Sequence, residues 1–484
     1  MILRKLLDGV EYELLCGDKD VYVDNVKHNA TDIEKGDIFI CLHSDDECFK
    51  NINLAICNGA KVVIMDKYIA FDYPSVTYIK VDDIRKSYAI IASNYYHNVS
   101  KNIKIIGVVG TNGKSTTAHI IYSLLLHLKE KVGFIGTGKY MIQERVYEQN
   151  FTTPDPMNLH NILYNMQKSG VKVVVMEVSA HAIYLKKVYG INFEIGIFTN
   201  LSQDHLDYFY TMDNLRKVKE SFFLDNYPRM AVVNIDDKVG DSLKNKCYMP
   251  TFSYSLHNKN ADIFVDDINF SNGLMCYSVH IQNRVYHIKS RLYGEYNISN
   301  MIAGILAVKL LGKSMTTLVE CAEKVQPLSG RLNIIEYEKV RYIVDYAHSP
   351  DGLKNVLLEC KKFTKGRVIL VFGAGGDRDK SKRCLMGEVA CRYADIVIIT
   401  SDNPRSEKAM DIIKDIYRGV NRENDIYLVE NRKNAIMLAH SYARENDTIL
   451  IAGKGDEGYI EENGQKYSYS DKHTVEELLG ILWI

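Results

Sequence analysis

The segment Ile105-Ile-Gly-Val-Val109 runs straight into Gly110-Thr-Asn-Gly-Lys-Ser-Thr116, and a helical apolar pattern follows over residues 115–128. The apolar, β-branched run reads as a buried strand and the glycines as a tight loop. Strand, glycine loop and helix in series is how a nucleotide-binding αβ domain opens. The loop's N–H groups and the helix N-terminus together surround phosphate oxygens. Gly110, Thr111, Asn112, Gly113, Lys114, Ser115 and Thr116 are the candidates for that cradle. Lys114 is expected to neutralise β/γ charge and the Ser115 hydroxyl to reach Mg²⁺. The strict GxxxxGK(S/T) spacing is not met, since Val108 stands at the first glycine's place and Gly107 just before it. The flanking strand and helix therefore carry the reading.

The rest of the chain is organised around that unit. Its 484 residues allow two to four domains. Residues 1–97 alternate strand-like and helix-like pieces, with buried strands expected at Asp37-Ile-Phe-Ile-Cys-Leu42 and Lys61-Val-Val-Ile-Met65 and helical spacing over residues 51–59. The first residues, MILRKLLDGVEYELL, read as a short amphipathic helix. Residues 98–328 hold the loop and further buried-strand runs at Val171-Lys-Val-Val-Val-Met176, Ile195-Gly-Ile-Phe-Thr199 and Ala231-Val-Val-Asn234. Hairpins are expected over residues 250–293, with a turn at Ser271-Asn-Gly273. Pro327-Leu-Ser-Gly330 marks a break. Residues 329–484 then carry Tyr342-Ile-Val344, Val368-Ile-Leu-Val-Phe372, Ile396-Val-Ile-Ile399 and Thr448-Ile-Leu-Ile-Ala452 with helices between. That pattern predicts a doubly wound parallel sheet. The fold class is α/β, in three αβ domains.

Charge and cysteine content narrow the partners. The 60 Lys+Arg and 61 Asp+Glu leave a net charge of −1, which argues against broad nucleic-acid or anionic-membrane binding. The 10 cysteines form no CxxC pair, as expected of free thiols in a reducing compartment. No run approaches the ~18 apolar residues of a membrane span. The N-terminus has no unbroken apolar stretch with a cleavage site, so a cytoplasmic location is expected.

Several polar residues stand just past strands, where a doubly wound sheet puts its ligands. Glu177 follows one such run, and His205 lies in Asn200-Leu-Ser-Gln-Asp-His-Leu-Asp207 after another. Each alone is as consistent with a surface or capping residue; their shared position makes a common site. Lys217 and Lys219 share one helical stretch, and on the residues alone both read as solvated. Arg405 follows the turn Asp402-Asn-Pro, where a guanidinium could grip a carboxylate bidentately.

These segments, in order, resemble the Mur ligases, the ATP-dependent amide-bond ligases that extend the peptide of a cell-wall precursor. The resemblance rests on Gly110-Thr-Asn-Gly-Lys-Ser-Thr116, Thr152-Thr-Pro154, Met176-Glu-Val-Ser179, Thr199-Asn-Leu-Ser-Gln-Asp-His-Leu-Asp207, Asn234-Ile-Asp-Asp237 and Gly294-Glu-Tyr-Asn-Ile-Ser-Asn300. It continues through Ser329-Gly-Arg331, Asp345-Tyr-Ala-His-Ser-Pro-Asp351, Gly375-Gly-Asp-Arg-Asp379, Asp402-Asn-Pro-Arg405 and Gly453-Lys-Gly-Asp-Glu457, covering residues 26–484. It implies a central P-loop ATPase domain between a UDP-sugar-binding domain and a C-terminal Rossmann-like domain. The implied reaction adds an amino acid, meso-diaminopimelate, to the D-glutamate of UDP-N-acetylmuramoyl-L-alanyl-D-glutamate through an acyl phosphate, using ATP and Mg²⁺. The enzyme is expected to work as a monomer.

By resemblance, Lys114, Glu177, His205 and Lys219 carry the catalysis, and Ser115, Glu177, His205 and a carbamoylated Lys219 hold metal. Asn297, Asn300, Arg331, Asp345 and His348 line the ATP site. Thr152, Thr153, Ser179 and Lys187 meet the muramoyl-dipeptide. Arg383, Asp402, Asn403, Arg405, Gly453 and Glu457 form the amino-acid pocket, with Arg405 on the distal carboxylate of diaminopimelate and Glu457 on the distal amine. The chain departs from the family at four places. Asn29-Ala-Thr31 and Asp45-Asp-Glu47 replace segments that seat the uridine, Lys187 stands where arginine is common, and Asp456 replaces a histidine. The alternatives are a ligase for L-lysine, a folylpolyglutamate-type ligase, or a non-catalytic nucleotide-binding paralogue.

Overall fold

The computed structural model describes every residue except 43–44, 69–72, 150, 226, 272, 422–424 and 482–484. The N-terminal part forms a five-stranded sheet in the order Tyr12–Cys16, Thr77–Val81, Val62–Met65, Ile38–Ile40, Val26–Lys27. Its neighbours are parallel except the first pair. The expected strands are in place, with helix Asp45–Cys57 between them. The N-terminal helix covers only Leu3–Leu6. Gly9, at φ +75°, turns the chain, and residues 12–16 pair antiparallel with 77–81. Pairing along a sheet edge outweighs the helical spacing of that stretch.

The central part is an eleven-stranded sheet. Lys104–Val109 lies at its middle, parallel to Val173–Glu177 on one side and Phe193–Phe198 on the other. Strands covered on both faces must be apolar throughout, which is why these runs are near-continuous Val, Ile and Phe. Helix Lys114–His127 follows the loop and packs on helix Glu295–Leu310. Gly304 allows the close approach: a Cβ there would meet Ile120 Cγ2 at 2.8 Å. The expected hairpins form from Ile263–Ser271, Leu274–Ile281 and Arg284–Ser290, whereas Thr251–Ser255 runs parallel to Pro228–Asn234. Asn272 of the expected turn lies outside the described residues; Gly273 beside it has φ +74°.

The C-terminal sheet has six strands in the order Asn333–Tyr337, Val340–Asp345, Thr448–Ala452, Val368–Phe372, Ile396–Thr400, Ile426–Val429. All pairs are parallel except the first, so the sheet is not wholly parallel as expected. Glu338 and Lys339, at φ +46° and +62°, reverse the chain there. A hairpin, Tyr459–Glu462 with Gln465–Ser468, stands apart from this sheet.

The parts are tied where the site lies. Lys186 ion-pairs with Asp83, and the Tyr88 hydroxyl donates to Asp155 Oδ1 at 3.3 Å. Asn112 Nδ2 donates to Asp351 Oδ2 at 3.3 Å, and Gln203 Nε2 to Ser381 Oγ at 2.9 Å. No helix among the described residues is long and apolar enough to cross a membrane.

Candidate active site

The glycine loop is shaped by the end of the neighbouring strand. A Cβ on Gly110 would stand 1.9 Å from the Thr199 hydroxyl. Thr199 Oγ1 and Asn200 Nδ2 donate to the Asn112 carbonyl at 2.7 and 3.0 Å. Gly113 has φ +83°, a left-handed conformation that strains any side chain, and a Cβ there would meet Asn300 Oδ1 at 2.5 Å. Lys114 folds back on the loop, Nζ donating to the carbonyls of Gly110 at 3.0 Å and Thr111 at 2.8 Å. Burial holds its ammonium below the ordinary lysine value, against the pull of Glu177 and Asp204.

Oxygen donors meet at the same place. Ser115 Oγ donates to Glu177 Oε2 at 2.8 Å, and the Thr137 N–H to Glu177 Oε1 at 3.0 Å. A hydroxyl and a buried carboxylate side by side fit Mg²⁺, a hard cation that prefers oxygen. Lys219, on helix Met212–Leu224, is buried and donates to Thr111 Oγ1 at 2.6 Å. Burial first, then Lys114, push its ammonium well below the ordinary value. Lys217 instead reaches outward to Asp213 at 2.7 Å, so Lys219 is the lysine of this helix that faces the loop.

Asp204, which the sequence reading passed over for its neighbour His205, sits at the centre of the charges. His205 Nε2 is 3.3 Å away, Lys382 Nζ 3.6 Å and His348 Nε2 3.8 Å. Burial alone would raise its pKa. The His348 hydrogen bond and the charges of His205 and Lys382 outweigh burial and hold it well below the usual carboxylate range. His205 is pulled down to about 4, chiefly by burial.

These groups share a cavity of about 1140 Å³ between the central and C-terminal parts. Asn300, Arg331, Asp345 and His348 line it. Asn297 does not: it sits behind, donating to the Tyr293 carbonyl at 2.7 Å and accepting from Asn300 Nδ2 at 3.3 Å. Asp345 accepts from the N–H groups of Leu332 and Ala347, each at 2.8 Å, and burial raises its pKa. Tyr346, also missed, forms part of the wall, with the Arg331 guanidinium 4.2 Å over its ring.

Thr152 and Ser179 line the cavity. Thr153 is buried beneath them, donating to the Glu177 carbonyl at 3.0 Å and accepting from Ser179 N–H at 3.1 Å. Lys187 lies outside the cavity, its ammonium 4.9 Å from the Phe151 ring centroid, and burial lowers its pKa. In the first sheet's region, Asn29 caps a short turn by accepting from the Thr31 N–H at 3.3 Å, and Ala30 is buried. Residues 43–44, before the Asp45-Asp-Glu47 segment, lie outside the described residues.

The amino-acid candidates gather in a second group next door. Asn403 is its hub. Oδ1 accepts from Lys454 Nζ and the Glu461 N–H, both at 2.9 Å, and Nδ2 donates to Glu457 Oε2 at 2.8 Å. The Tyr346 hydroxyl reaches Glu457 Oε1 at 3.5 Å, joining this group to the cavity. A Cβ on Gly453 would stand 2.5 Å from Asp402 Oδ2. Arg405 donates through Nε to Glu461 Oε2 at 3.1 Å and through Nη1 to the Gly376 carbonyl at 2.7 Å. Arg383 is fully buried and committed to Glu407 at 2.8 and 3.0 Å and to Asp415 at 3.0 Å, so it stands behind this group rather than within it. Lys454 and Glu461 were not foreseen. Lys454 lies inside a quoted motif, while Glu461 has only its position on a hairpin and no local signal.

Residues 108–308 match the Mur ligase middle domain, and residues 330–455 match the Mur ligase glutamate ligase domain. The chain belongs to the Mur ligase family. It is 38% identical over 489 residues to the UDP-N-acetylmuramoyl-L-alanyl-D-glutamate--2,6-diaminopimelate ligase 1 of Clostridium acetobutylicum, covering 100% of both chains. The UDP-N-acetylmuramoyl-L-alanyl-D-glutamate--2,6-diaminopimelate ligase of Clostridioides difficile is 36% identical over 486 residues, 99% of each chain. A solved UDP-N-acetylmuramoyl-L-alanyl-D-glutamate--2,6-diaminopimelate ligase superposes with a TM-score of 0.71 at 28% identity, over 99% of each chain. The MurF ligase of Thermotoga maritima in complex with ADP shares the fold, with a TM-score of 0.62 at 17% identity over 90% of this chain and 95% of that one.

Proposed function

We propose that the chain is an ATP-dependent ligase that adds meso-diaminopimelate to the D-glutamate γ-carboxylate of UDP-N-acetylmuramoyl-L-alanyl-D-glutamate, in peptidoglycan synthesis. The observation that carries this reading is that the glycine-loop cavity and the Asn403 side-chain cluster meet at Tyr346, whose ring faces Arg331 and whose hydroxyl faces Glu457. A nucleotide site and an amino-acid site that close together suit a reaction joining the products of one to the contents of the other. The full-length likeness to diaminopimelate ligases supports the choice of substrates.

The glutamate carboxylate attacks the γ-phosphorus of ATP, forming an acyl phosphate and releasing ADP. The amine of diaminopimelate attacks the acyl carbon, the intermediate loses a proton and expels phosphate, and the amide remains. Lys114 exchanges its loop carbonyls for phosphate oxygens and offsets their charge. Ser115 and Glu177, with His205, would hold Mg²⁺, which when bound neutralises charge developing on the transferred group. Lys219, pressed toward its neutral amine, is suited to add CO₂ with loss of a proton, giving N6-carboxylysine and two more oxygens for the metal set. Thr152 and Ser179 position the dipeptide. Asn300, Arg331, Asp345 and His348 close the ATP side, and closure excludes the water that would hydrolyse the acyl phosphate. The divisions are placed at residues 97/98 and 328/329, and the enzyme is read as a cytoplasmic monomer.

Phosphate release with ATP, Mg²⁺ and the UDP-muramoyl-dipeptide tests this, with meso-diaminopimelate and L-lysine offered separately and the product weighed by mass spectrometry. A tripeptide formed with diaminopimelate supports the reading. ATP binding without product from either amino acid overturns it.

A further inference from the structure

Phe39, Val63, Met65 and Tyr78 belong to an apolar cluster in the first part of the chain, and two thiols are set inside it. Cys41 follows strand Ile38–Ile40, and its N–H continues the ladder by donating to the Ile64 carbonyl at 2.9 Å. Cys48 stands near the start of helix Asp45–Cys57. The two residues are 1% and 3% exposed, and their Sγ atoms face each other at 2.6 Å. The Cys41 thiol also points at the Cys48 carbonyl, 3.9 Å away. A buried cysteine by itself is a small apolar filler. Two whose sulfurs meet across the end of a strand and the start of a helix have a reaction open to them that neither has alone.

Cys48 is the one an outside reagent reaches first. Its helix neighbours Glu47 and Phe49 are exposed, so loosening of this one turn uncovers its sulfur, whereas Cys41 is held by the sheet ladder. A disulfide that opens and closes with the ambient thiol balance is the kind found where thiols are otherwise kept reduced.

We propose that Cys41 and Cys48 form a reversible dithiol–disulfide site whose oxidation weakens binding of the nucleotide-sugar substrate. The Cys48 thiolate attacks one sulfur of a small-molecule disulfide, a mixed disulfide forms and a small thiolate leaves. The Cys41 thiolate then attacks the Cys48 sulfur, the protein disulfide closes and the second small thiolate leaves. Two protein thiols are oxidised, one small disulfide is reduced to two thiols, and the two protons pass to the leaving thiolates. The bond ties both ends of the segment that contains Asp45-Asp-Glu47, which the resemblance sets at the uridine seat. A segment held at both ends adjusts less to a ligand, while the glycine loop, on the central sheet, is untouched. The effect on substrate rests on the diaminopimelate-ligase reading above.

One tryptic peptide, residues 36–50, carries both cysteines and no internal lysine or arginine. The full-length protein is equilibrated with mixtures of oxidised and reduced glutathione, blocked with N-ethylmaleimide, digested and weighed. The peptide is expected to carry a maleimide on each cysteine in the reducing mixtures. In the oxidising ones it carries none and has lost the hydrogens of both thiols. Full maleimide labelling throughout, or a glutathione adduct that never resolves, would overturn the site. In the same mixtures KM for UDP-N-acetylmuramoyl-L-alanyl-D-glutamate should rise on oxidation by about fivefold or more, the lower end of coupling between two sites, while KM for ATP stays within about twofold. Dithiothreitol reverses the rise. Cys48→Ser, which cannot close the bond, does not show it although every other thiol remains. Cys41→Ala makes the same comparison if Cys48→Ser fails to fold. A disulfide that forms and leaves KM for the nucleotide-sugar unchanged would overturn the inferred weakening. Absence of ligase product from the reduced wild type would overturn the underlying reading instead, and the peptide mass would still report whether the disulfide forms.

Discussion

Lys114 and Arg405 are the cations that meet a substrate anion in the proposed reaction, and they wait for it in different company. Lys114 donates to two neutral carbonyls of its own loop. Arg405 donates to a carboxylate on a hairpin remote in sequence. A cation resting on carbonyls keeps its full charge and gives it to whatever phosphate arrives. A cation resting on a carboxylate is already half neutralised, so a simple anion gains less there and a ligand bearing both charges gains more. The partner of each cation, more than the cation, sets how selective the site is.

The sharpest break in that comparison is Lys114→Ala. It should lower kcat for phosphate release by about 10²–10³, the cost of losing a preorganised charge at a transferring phosphoryl group. A loss under about tenfold would mean that the loop backbone does the work unaided. Arg405→Ala should lower kcat/KM for diaminopimelate by about 10- to 100-fold and leave L-lysine nearly untouched, which narrows selectivity from the other side. Equal effects on both amino acids would place Arg405 outside the distal subsite.

Gly113→Ala tests the loop itself. With φ +83° and a Cβ 2.5 Å from Asn300 Oδ1, it should cost about 1–3 kcal/mol in denaturant unfolding. Combining it with Asn300→Ala should restore the share due to crowding and leave the share due to φ. The smallest effect belongs to a cation set between two carboxylates, Arg383 with Glu407 and Asp415. The Arg383 hydrogen bond, ahead of smaller contributions, holds Glu407 down to about 2. A depressed carboxylate stabilises fully above its ordinary value of 4.5 and loses that contribution as pH falls toward 2. Unfolding midpoints should therefore drop more steeply in wild type than in Arg383→Met across that window. Parallel curves would show that the pair is not what the acid limb reports.

How legible each region was follows from the same contrast. The loop is a local object: strand, glycines and helix are contiguous, so residues 110–116 could be picked out before any fold was known. The central strands were legible because full burial forces near-continuous apolar runs. The edges were not, since residues 12–16 become a strand by pairing with the distant residues 77–81, and residues 333–337 by folding back on residues 340–344 through a turn at Glu338-Lys339 that carries no glycine. Asn297, Thr153, Lys187 and Arg383 belong to the right neighbourhood, yet they sit behind or beside the surfaces they were expected to line. A motif records that a residue matters near a site and is silent on which way its side chain turns. Asp204 and Tyr346 hid inside quoted motifs beside more reactive neighbours. Glu461 had no signal at all, because its meaning comes from Arg405 across the fold.

Tyr346 is a partition a single phenol thick. Its face carries the Arg331 guanidinium, which borders the glycine-loop cavity, and its hydroxyl leans on the Glu457 carboxylate of the proposed amino-acid site. A group that settles against either side meets the same ring, so a change at Tyr346 is felt by both sets of residues.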